Sequence, residues 1–218
     1  MDIALAVFPR LTALDILGPY QVLTRLPEAN VFFVSATRDE VRDDVGLVSF
    51  PVARTYDEVT AAEVVVVPGG TITRRMAKYG DPIVPWIAAI HPTTRYTTSV
   101  CTGSLLLGAA GLLSGLEATS HWAALEPLEG YGARPTLQRV VEQGKIITAA
   151  GVSSGIDMAL LLAARLAGDD VAQGIQLGIE YDPQPPFDAG SPAKAPAHVV
   201  EAVRANIGRR IDAMATPD

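Results

Sequence analysis

The chain has 218 residues, 49% of them hydrophobic, and a formal net charge of −7 at pH 7. This length fits one domain, and this composition allows a large buried core. The acidic balance argues against unaided binding to nucleic acid or to an anionic membrane surface, so we expect neither as a partner.

Short β-branched runs alternate with helical stretches along the chain, as a wound α/β sheet with a mostly parallel core requires. Strands are predicted at 3–8, 31–36, 63–67, 96–100 and 145–149, with 46–52 as an edge strand or a hairpin arm. Helices are predicted at 14–26, 73–78, 83–90, 104–112, 155–167, 170–181 and 198–213. The Pro-rich segment 182–196 is expected to be irregular, and the whole of 1–218 to form one domain.

The sequence shows no secretory signal, membrane-spanning run, cysteine pair or metal-ligand spacing, and these features bear on the compartment and on metal binding. The first residues show no basic region and meet Pro9 early, so no secretory signal is expected. No apolar run approaches the roughly 20 residues that a membrane span needs. A single cysteine cannot form an internal disulfide, which favours a reducing cytoplasm. One Cys and three His offer no metal-ligand spacing, so we expect no metal.

The only cysteine, Cys101, lies in the stretch V-C-T-G-S, directly after a predicted strand and before a predicted helix. In open α/β sheets, sites form at the carboxyl ends of the strands. A residue in such a tight turn also lies at a helix N-terminus, where an anion is stabilised. This context predicts a nucleophile with a lowered pKa, in the turn called a nucleophile elbow. The alternative is that Cys101 is a small buried hydrophobic residue.

Two further features lie at the same predicted edge of the sheet. Gly69 and Gly70 follow the strand at 63–67 and offer backbone N–H groups to developing negative charge. The alternative for this Pro-Gly-Gly segment is an ordinary tight turn. Asp15 stands among apolar residues near the start of the first helix, and the same strand ends would bring it close to Cys101. The alternative for Asp15 is a first-turn acid of that helix.

Several motifs together carry a resemblance to a known family. They are LDILGP, VPGG, SVCTGSLLLGAAGLLSG, ATSHW, GVSSGIDMAL and EYDPQPPFDAGSP. The chain resembles the ThiJ/PfpI superfamily, which is related to class I glutamine amidotransferases, and its branch shared with AraC-type regulators. Within that branch it is similar to the isonitrile hydratases (isocyanide hydratases), for which the last motif is the more specific signal. The resemblance implies a single-domain, flavodoxin-like or amidotransferase-like sandwich.

The resemblance also implies roles for individual residues. Cys101 would be the nucleophile and Asp15 the acid, while the backbone of Gly70 and Thr102 would bind developing negative charge. Gly69 and Gly103 would belong to the same substrate cradle. Many superfamily members carry His where this chain has Thr102, so protease-type and amidotransferase-type triads are not expected here.

Three more residues are weaker candidates. His121 and Trp122, in the Ser-His-Trp motif, would lie near the site behind the reacting groups. The alternative for His121 is a structural role within a hydrogen-bond network. Asp157 falls in the first turn of a predicted helix and is interpreted as a cap-region acid.

The implied reaction is hydration of an isonitrile to an N-substituted formamide, without a cofactor. The Cys101 thiolate would add to the terminal carbon, and Asp15 would route the protons. An apolar pocket would raise the pKa of Asp15, with Leu14, Ile16 and Trp122 as candidate contributors. Relatives are commonly homodimers, which implies a homodimer with 183–196 near the interface.

Two other functions remain open from the sequence. A glyoxalase or deglycase acting on methylglyoxal would use the same cysteine and acid, although such enzymes typically pair Glu with a nearby His. A non-catalytic redox or ligand sensor would exploit oxidation of an accessible thiolate at Cys101. A DNA-binding regulator is disfavoured by the acidic chain and by the absence of a further region after the last predicted helix.

Overall fold

The computed structural model describes residues 1–215, with side chains to residue 213. Its centre is a seven-stranded sheet. Across the sheet the strands are β10 (Val140–Gln143), β11 (Ile146–Ala149), β7 (Tyr96–Val100), β6 (Val64–Val67), β1 (Asp2–Ala6), β2 (Asn30–Ser35) and β5 (Arg54–Thr55). All neighbours pair in parallel except β10, which runs antiparallel to β11. The expected α/β class with a mostly parallel sheet is confirmed.

The middle of the sheet is buried on both faces. All four valines of β6 are fully excluded from solvent, as are Ile3, Ala4, Leu5 and Ala6 of β1. A continuous apolar run rather than an alternating one is what a parallel strand covered on both sides needs. The carboxyl ends of β1, β6 and β7 therefore meet at one edge, and each is followed by a loop that contributes to the site described below.

Helices cover both faces of the sheet. They are α1 (Ala13–Leu23), α2 (Thr73–Tyr79), α3 (Ile83–Ile90), α4 (Gly103–Ala109), α5 (Leu125–Glu129), α6 (Ser154–Ala167), α7 (Asp169–Gly178) and α8 (Ala197–Ala215). One group consists of α1, α6 and α7, and α4 packs with α2 and α3 in another. None of the described helices is long and apolar enough to cross a membrane.

Most predicted elements are present, with shifted ends. The helix predicted at 104–112 ends at Ala109, and Gly111 follows with a φ of 79°, which a continuing helix excludes. The helix predicted at 170–181 ends at Gly178. The segment 182–196 is irregular, as expected.

Some pairings differ from the sequence prediction. Within 46–52 only β4 (Ser49–Phe50) is a strand, and it pairs with β3 (Val41–Arg42) outside the main sheet. It is a hairpin arm because its partner lies just upstream in the chain. The short strands β8 (Glu117–Ala118) and β9 (Arg134–Pro135) form another separate pair. The sequence analysis did not predict β10, whose residues turn back at Gly144 to pair with β11.

Candidate active site

Cys101 occupies the turn between β7 and α4 in a strained conformation. Its φ is 57°, in the left-handed region that a residue with a side chain seldom adopts. Its N–H donates to the carbonyl oxygens of Ala149, at 3.0 Å, and Ala150, at 2.9 Å. Its carbonyl oxygen accepts from the hydroxyls of Ser104 and Ser120, each at 3.1 Å. The surroundings therefore hold the cysteine in the geometry of a nucleophile elbow.

Two glycines allow the elbow to pack directly on the neighbouring strand end. A Cβ on Gly103 would lie 2.2 Å from the carbonyl oxygen of Val67. A Cβ on Gly69 would lie 2.5 Å from the backbone nitrogen of Thr102 and 2.8 Å from Oδ2 of Asp15. Gly103 is thus required for packing, and its expected place in the substrate cradle stays a prediction. Both positions exclude any side chain.

Asp15 lies beside the elbow, completely buried in the first turn of α1. Its Oδ2 accepts a hydrogen bond from the N–H of Gly69 at 2.8 Å, while Oδ1 has no partner within hydrogen-bonding geometry among the described residues. Burial raises the pKa of Asp15 from 3.8 to about 7, although the Gly69 N–H and the Cys101 thiol favour its charged form. A carboxyl group of this kind exchanges protons near neutral pH.

The thiol of Cys101 does not have the lowered pKa expected from its place at a helix start. Burial raises its pKa first, and the charge of Asp15 raises it further. The N–H groups of Val152 and Thr102, with the Thr102 hydroxyl, act in the opposite direction but do not outweigh burial. The resting pair therefore keeps the proton on sulfur, next to a carboxyl group that titrates near neutral pH.

The backbone N–H groups of the Pro-Gly-Gly loop donate to neighbouring side chains. The N–H of Gly69 is engaged by Asp15, and the N–H of Gly70 donates to Oγ1 of Thr102 at 2.9 Å. The same hydroxyl donates to the Gly70 carbonyl oxygen at 3.0 Å. The N–H expected to bind developing charge at Gly70 is therefore engaged by Thr102 in this conformation, and its role towards a substrate stays a prediction. Of the two N–H groups that act on the sulfur, Thr102 was predicted and Val152 was not.

A cavity of about 550 Å³ opens next to the elbow. Ala150 and Val152, which contact Cys101 through hydrogen bonds, belong to its wall, and so does Ser120. Its apolar lining includes Leu14, Trp122, Leu137 and Pro192. Leu14 and Trp122 were expected near the acid, whereas Ile16 is fully buried in the core. The cavity accommodates a group much larger than the isonitrile carbon and nitrogen themselves.

His121 lines the cavity as a neutral side chain. Its Nδ1 accepts from the N–H of Ala123 at 3.2 Å, so the proton of the neutral ring is on Nε2. Burial lowers the pKa of His121, and the charge of Arg74 lowers it further. Arg74, which sequence reasoning missed, donates to the Ala123 carbonyl oxygen at 2.7 Å. Its guanidinium also interacts favourably with a charged Cys101, so it adds positive potential to the site.

Asp157 has the structural role that its sequence position indicated. It lies in the first turn of α6 and pairs with Arg139, and it accepts a hydrogen bond from the Tyr181 hydroxyl at 2.9 Å. No group of three or more His, Cys, Asp or Glu side chains is arranged around a metal position in the described part of the chain.

The combined features define a class of protein. It is an α/β protein with a cysteine at a nucleophile elbow, a buried acid that titrates near neutral pH and an adjoining cavity, a combination that is compatible with thiol chemistry. Residues 1–165 match the DJ-1/PfpI family, and the chain belongs to that family.

Individual relatives agree with this assignment. The chain is 43% identical over 204 residues to isonitrile hydratase from Pseudomonas putida, an alignment that covers 94% of this chain and 89% of that protein. The crystal structure of a ThiJ/PfpI family protein from Pseudomonas syringae superposes with a TM-score of 0.90 at 39% identity, covering 99% of this chain and 90% of the other. DJ-1 from Schizosaccharomyces pombe shares the fold, with a TM-score of 0.71 at 18% identity over 82% of this chain and 98% of its own.

Proposed function

We propose that the protein is an isonitrile hydratase that converts an isonitrile and water into an N-substituted formamide. Its relative of that name in Pseudomonas putida is 43% identical over most of both chains. The observation that carries the proposal is the buried pair of Cys101 and Asp15, in which burial raises the pKa of the acid to about 7. The reaction requires a nucleophile and a group that both accepts and returns a proton, and this pair supplies both.

In the first half of the reaction the thiol adds across the terminal carbon of the isonitrile. Asp15 accepts the proton of the Cys101 thiol as the sulfur forms a bond to that carbon. The proton then passes from Asp15 to the same carbon, which leaves an enzyme-bound thioimidate, R–N=CH–S. The N–H groups of Thr102 and Val152 act on the sulfur and stabilise the charge that it carries during the attack.

In the second half water attacks the thioimidate carbon. Asp15 takes a proton from the water as the carbon–oxygen bond forms and passes it to the nitrogen, which leaves R–NH–CH(OH)–S on the enzyme. The carbon–sulfur bond then breaks, with its electron pair leaving on sulfur, while the hydroxyl group gives its proton to Asp15 and becomes the formyl oxygen, and Asp15 returns that proton to the sulfur. The product is R–NH–CHO, and the pair of Cys101 and Asp15 returns to its starting protonation state.

The test is an assay of the purified, reduced protein with phenyl isonitrile, in which formation of N-phenylformamide is followed by NMR. Turnover is expected in the wild type and is expected to be abolished by Cys101→Ala. Mass spectrometry of rapidly quenched wild-type enzyme should show one added isonitrile. Wild-type turnover in the cysteine variant would contradict the covalent mechanism, and formation of lactate from methylglyoxal instead would assign the alternative chemistry.

A sensory role for Cys101 is disfavoured by its surroundings. Redox-sensing cysteines are accessible and have low pKa values, because the thiolate is the form that reacts with oxidants. Cys101 is only 6% exposed, and burial raises the pKa of its thiol. A catalytic role fits such a thiol better, because Asp15 beside it is a base that can remove the proton.

We further propose that the protein acts as a homodimer in the cytoplasm. The support for a dimer is the exposure of two large apolar side chains, Leu177 at 82% and Phe187 at 77%. Phe187 belongs to 182–190, a stretch in which every residue is exposed. A second copy is the occupant that would bury these side chains. Light scattering coupled to gel filtration checks this, and a monomer at micromolar concentration would contradict it.

A further inference from the structure

The cavity beside the elbow has an electrostatic character opposite to that of the molecule. The chain carries 24 acidic residues and a net charge of −7. Among the described residues that line the cavity there is no Asp or Glu, and Arg139 is the one charged side chain. Neutral His121 and several hydroxyls make up most of the remaining polar lining. The wall therefore favours a negative group on whatever fills the cavity.

Hydrogen bonds to two neighbouring side chains fix the guanidinium of Arg139. Its Nε donates to Oδ2 of Asp157, and its Nη2 donates to the hydroxyl of Ser153 at 3.2 Å. Asp157 is in turn fixed by the Tyr181 hydroxyl and is not part of the cavity wall. These bonds use only part of the five N–H donors of a guanidinium. Arg139 thus meets the cavity with a set orientation and with donor capacity left over, which is how arginine recognises a carboxylate.

The start of α6 strengthens the positive potential on the same side. Val152 and Ser153, which line the cavity, immediately precede this 14-residue helix. The N-terminal end of a helix carries a partial positive charge. It lies alongside Arg139 and adds to its effect on a bound anion, while Asp157 in the same first turn offsets part of both charges.

We propose, building on the proposed function, that the preferred substrates are isonitriles bearing a carboxylate, which Arg139 binds while the isonitrile carbon reaches Cys101. The cavity of about 550 Å³ leaves room for a ring or chain between the two groups. Arg139 is a specificity determinant in this arrangement and takes no part in bond making.

The test compares substrates of one shape that differ in charge. Wild-type kcat/KM is measured for 3- and 4-isocyanobenzoate and for the corresponding neutral amides. We expect a preference for the better carboxylate over its amide of about tenfold or more, as a charge-assisted hydrogen bond provides. Arg139→Gln should reduce that ratio at least several-fold, while Arg139→Lys should retain part of it. Since a ratio does not depend on the fraction of folded enzyme, partial misfolding does not obscure the result.

Arg165→Gln is the matched control, because Arg165 also pairs with a carboxylate, Glu142, but does not line the cavity. It should leave the substrate ratio at the wild-type value. Raising the salt concentration towards 1 M should raise KM for the carboxylate and not for the amide, since the screening length falls to about 3 Å. A wild-type enzyme that prefers the amides, or an Arg139→Gln variant with an unchanged ratio, would overturn the inference.

Failure of the proposed function can be told apart from failure of this inference. If no isonitrile is turned over, the function is wrong, and the anion preference is then measured by calorimetry. Binding of 4-formamidobenzoate to the wild type should be stronger than binding of 4-formamidobenzamide, and Arg139→Gln should remove the difference. Equal binding of the two compounds would overturn the inference whatever the activity.

Discussion

Asp15 and Asp43 are both largely buried, but the pKa of Asp15 is raised and the pKa of Asp43 is lowered. Asp15, beside the elbow, accepts one backbone N–H, and burial raises its pKa to about 7. Asp43, in the turn before β4, accepts N–H groups from the three residues 46–48 at 2.8, 2.9 and 3.1 Å. Burial favours the neutral form there too, but the N–H groups together outweigh it, and the pKa of Asp43 is lowered.

The number of donors decides between a structural and a chemical role. The side chain of Asp43 closes its turn as a permanently charged acceptor, which stabilises the folded chain at neutral pH. Asp15 lacks the donors that would hold it charged, so its proton is free to move. The second arrangement costs stability, a cost often seen where a carboxyl group is kept able to exchange its proton near neutral pH.

The largest expected effect is the difference in kcat/KM between Asn variants of the two aspartates. Asp15→Asn removes the group that accepts and returns the proton, so kcat/KM should fall by about 10²–10⁴-fold. Asp43→Asn should change it by no more than about twofold, because the turn makes no contact with the reacting groups. Initial rates of formamide formation for the two variants check this. Equal losses in both would show that Asp15 acts only through the fold.

The pH dependence of wild-type kcat/KM tests the proposed role of Asp15 in a second way. Asp15 must be ionised to accept the thiol proton, so kcat/KM should rise with pH, about tenfold per unit, until the pKa near 7 and then level off. Rates measured between pH 5 and 9 test the sign. A flat profile over that range would assign the proton transfer to another group. The residual activity of Asp15→Asn should lack the rise.

Sequence patterns predicted the scaffold of this site better than its electrostatics. The run EVVVV and the strand before Cys101 were recognisable because buried parallel strands are continuously apolar. The elbow followed from small residues after that strand. The direction of the pKa shift at Cys101 did not follow, since the helix-start effect is visible in the sequence and the burial that opposes it is not.

Residues contributed by distant loops were also missed. Val152 acts on the sulfur and Arg139 lines the cavity because β11 lies next to β7, and that adjacency is a property of the strand order. The one available signal was that the loop at 150–153 follows a strand at the same edge of the sheet. Gly69 was noted for its N–H group, but its lack of a side chain, which the contacts with Thr102 and Asp15 demand, is equally important.

Replacing the two aspartates by Asn should change the free energy of unfolding in opposite directions, and the larger change is expected at Asp15. Because its pKa is raised from 3.8 to about 7, the folded state binds a proton that the unfolded state has already lost, and Asp15 costs stability as pH rises through this window. At pH 8 the cost approaches roughly 4 kcal/mol, so Asp15→Asn should raise the free energy of unfolding by up to that amount. Denaturant titrations at pH 5 and pH 8 measure it, and a variant less stable than wild type at pH 8 would contradict it.

Asp43→Asn should produce a smaller change in the opposite direction. The lowered pKa of Asp43 means that its carboxylate contributes stability above the unfolded pKa, near 3.9, and loses it as pH falls through the lower folded value. The variant should therefore have a lower Tm than the wild type at pH 7, and the difference should shrink as the pH falls through the lowered folded pKa. Calorimetry at a series of pH values from 7 downwards checks this. If Asp43→Asn instead gained stability at pH 7, burial would dominate at Asp43 as it does at Asp15. The three N–H groups would then not be what stabilises the charged carboxylate in this turn.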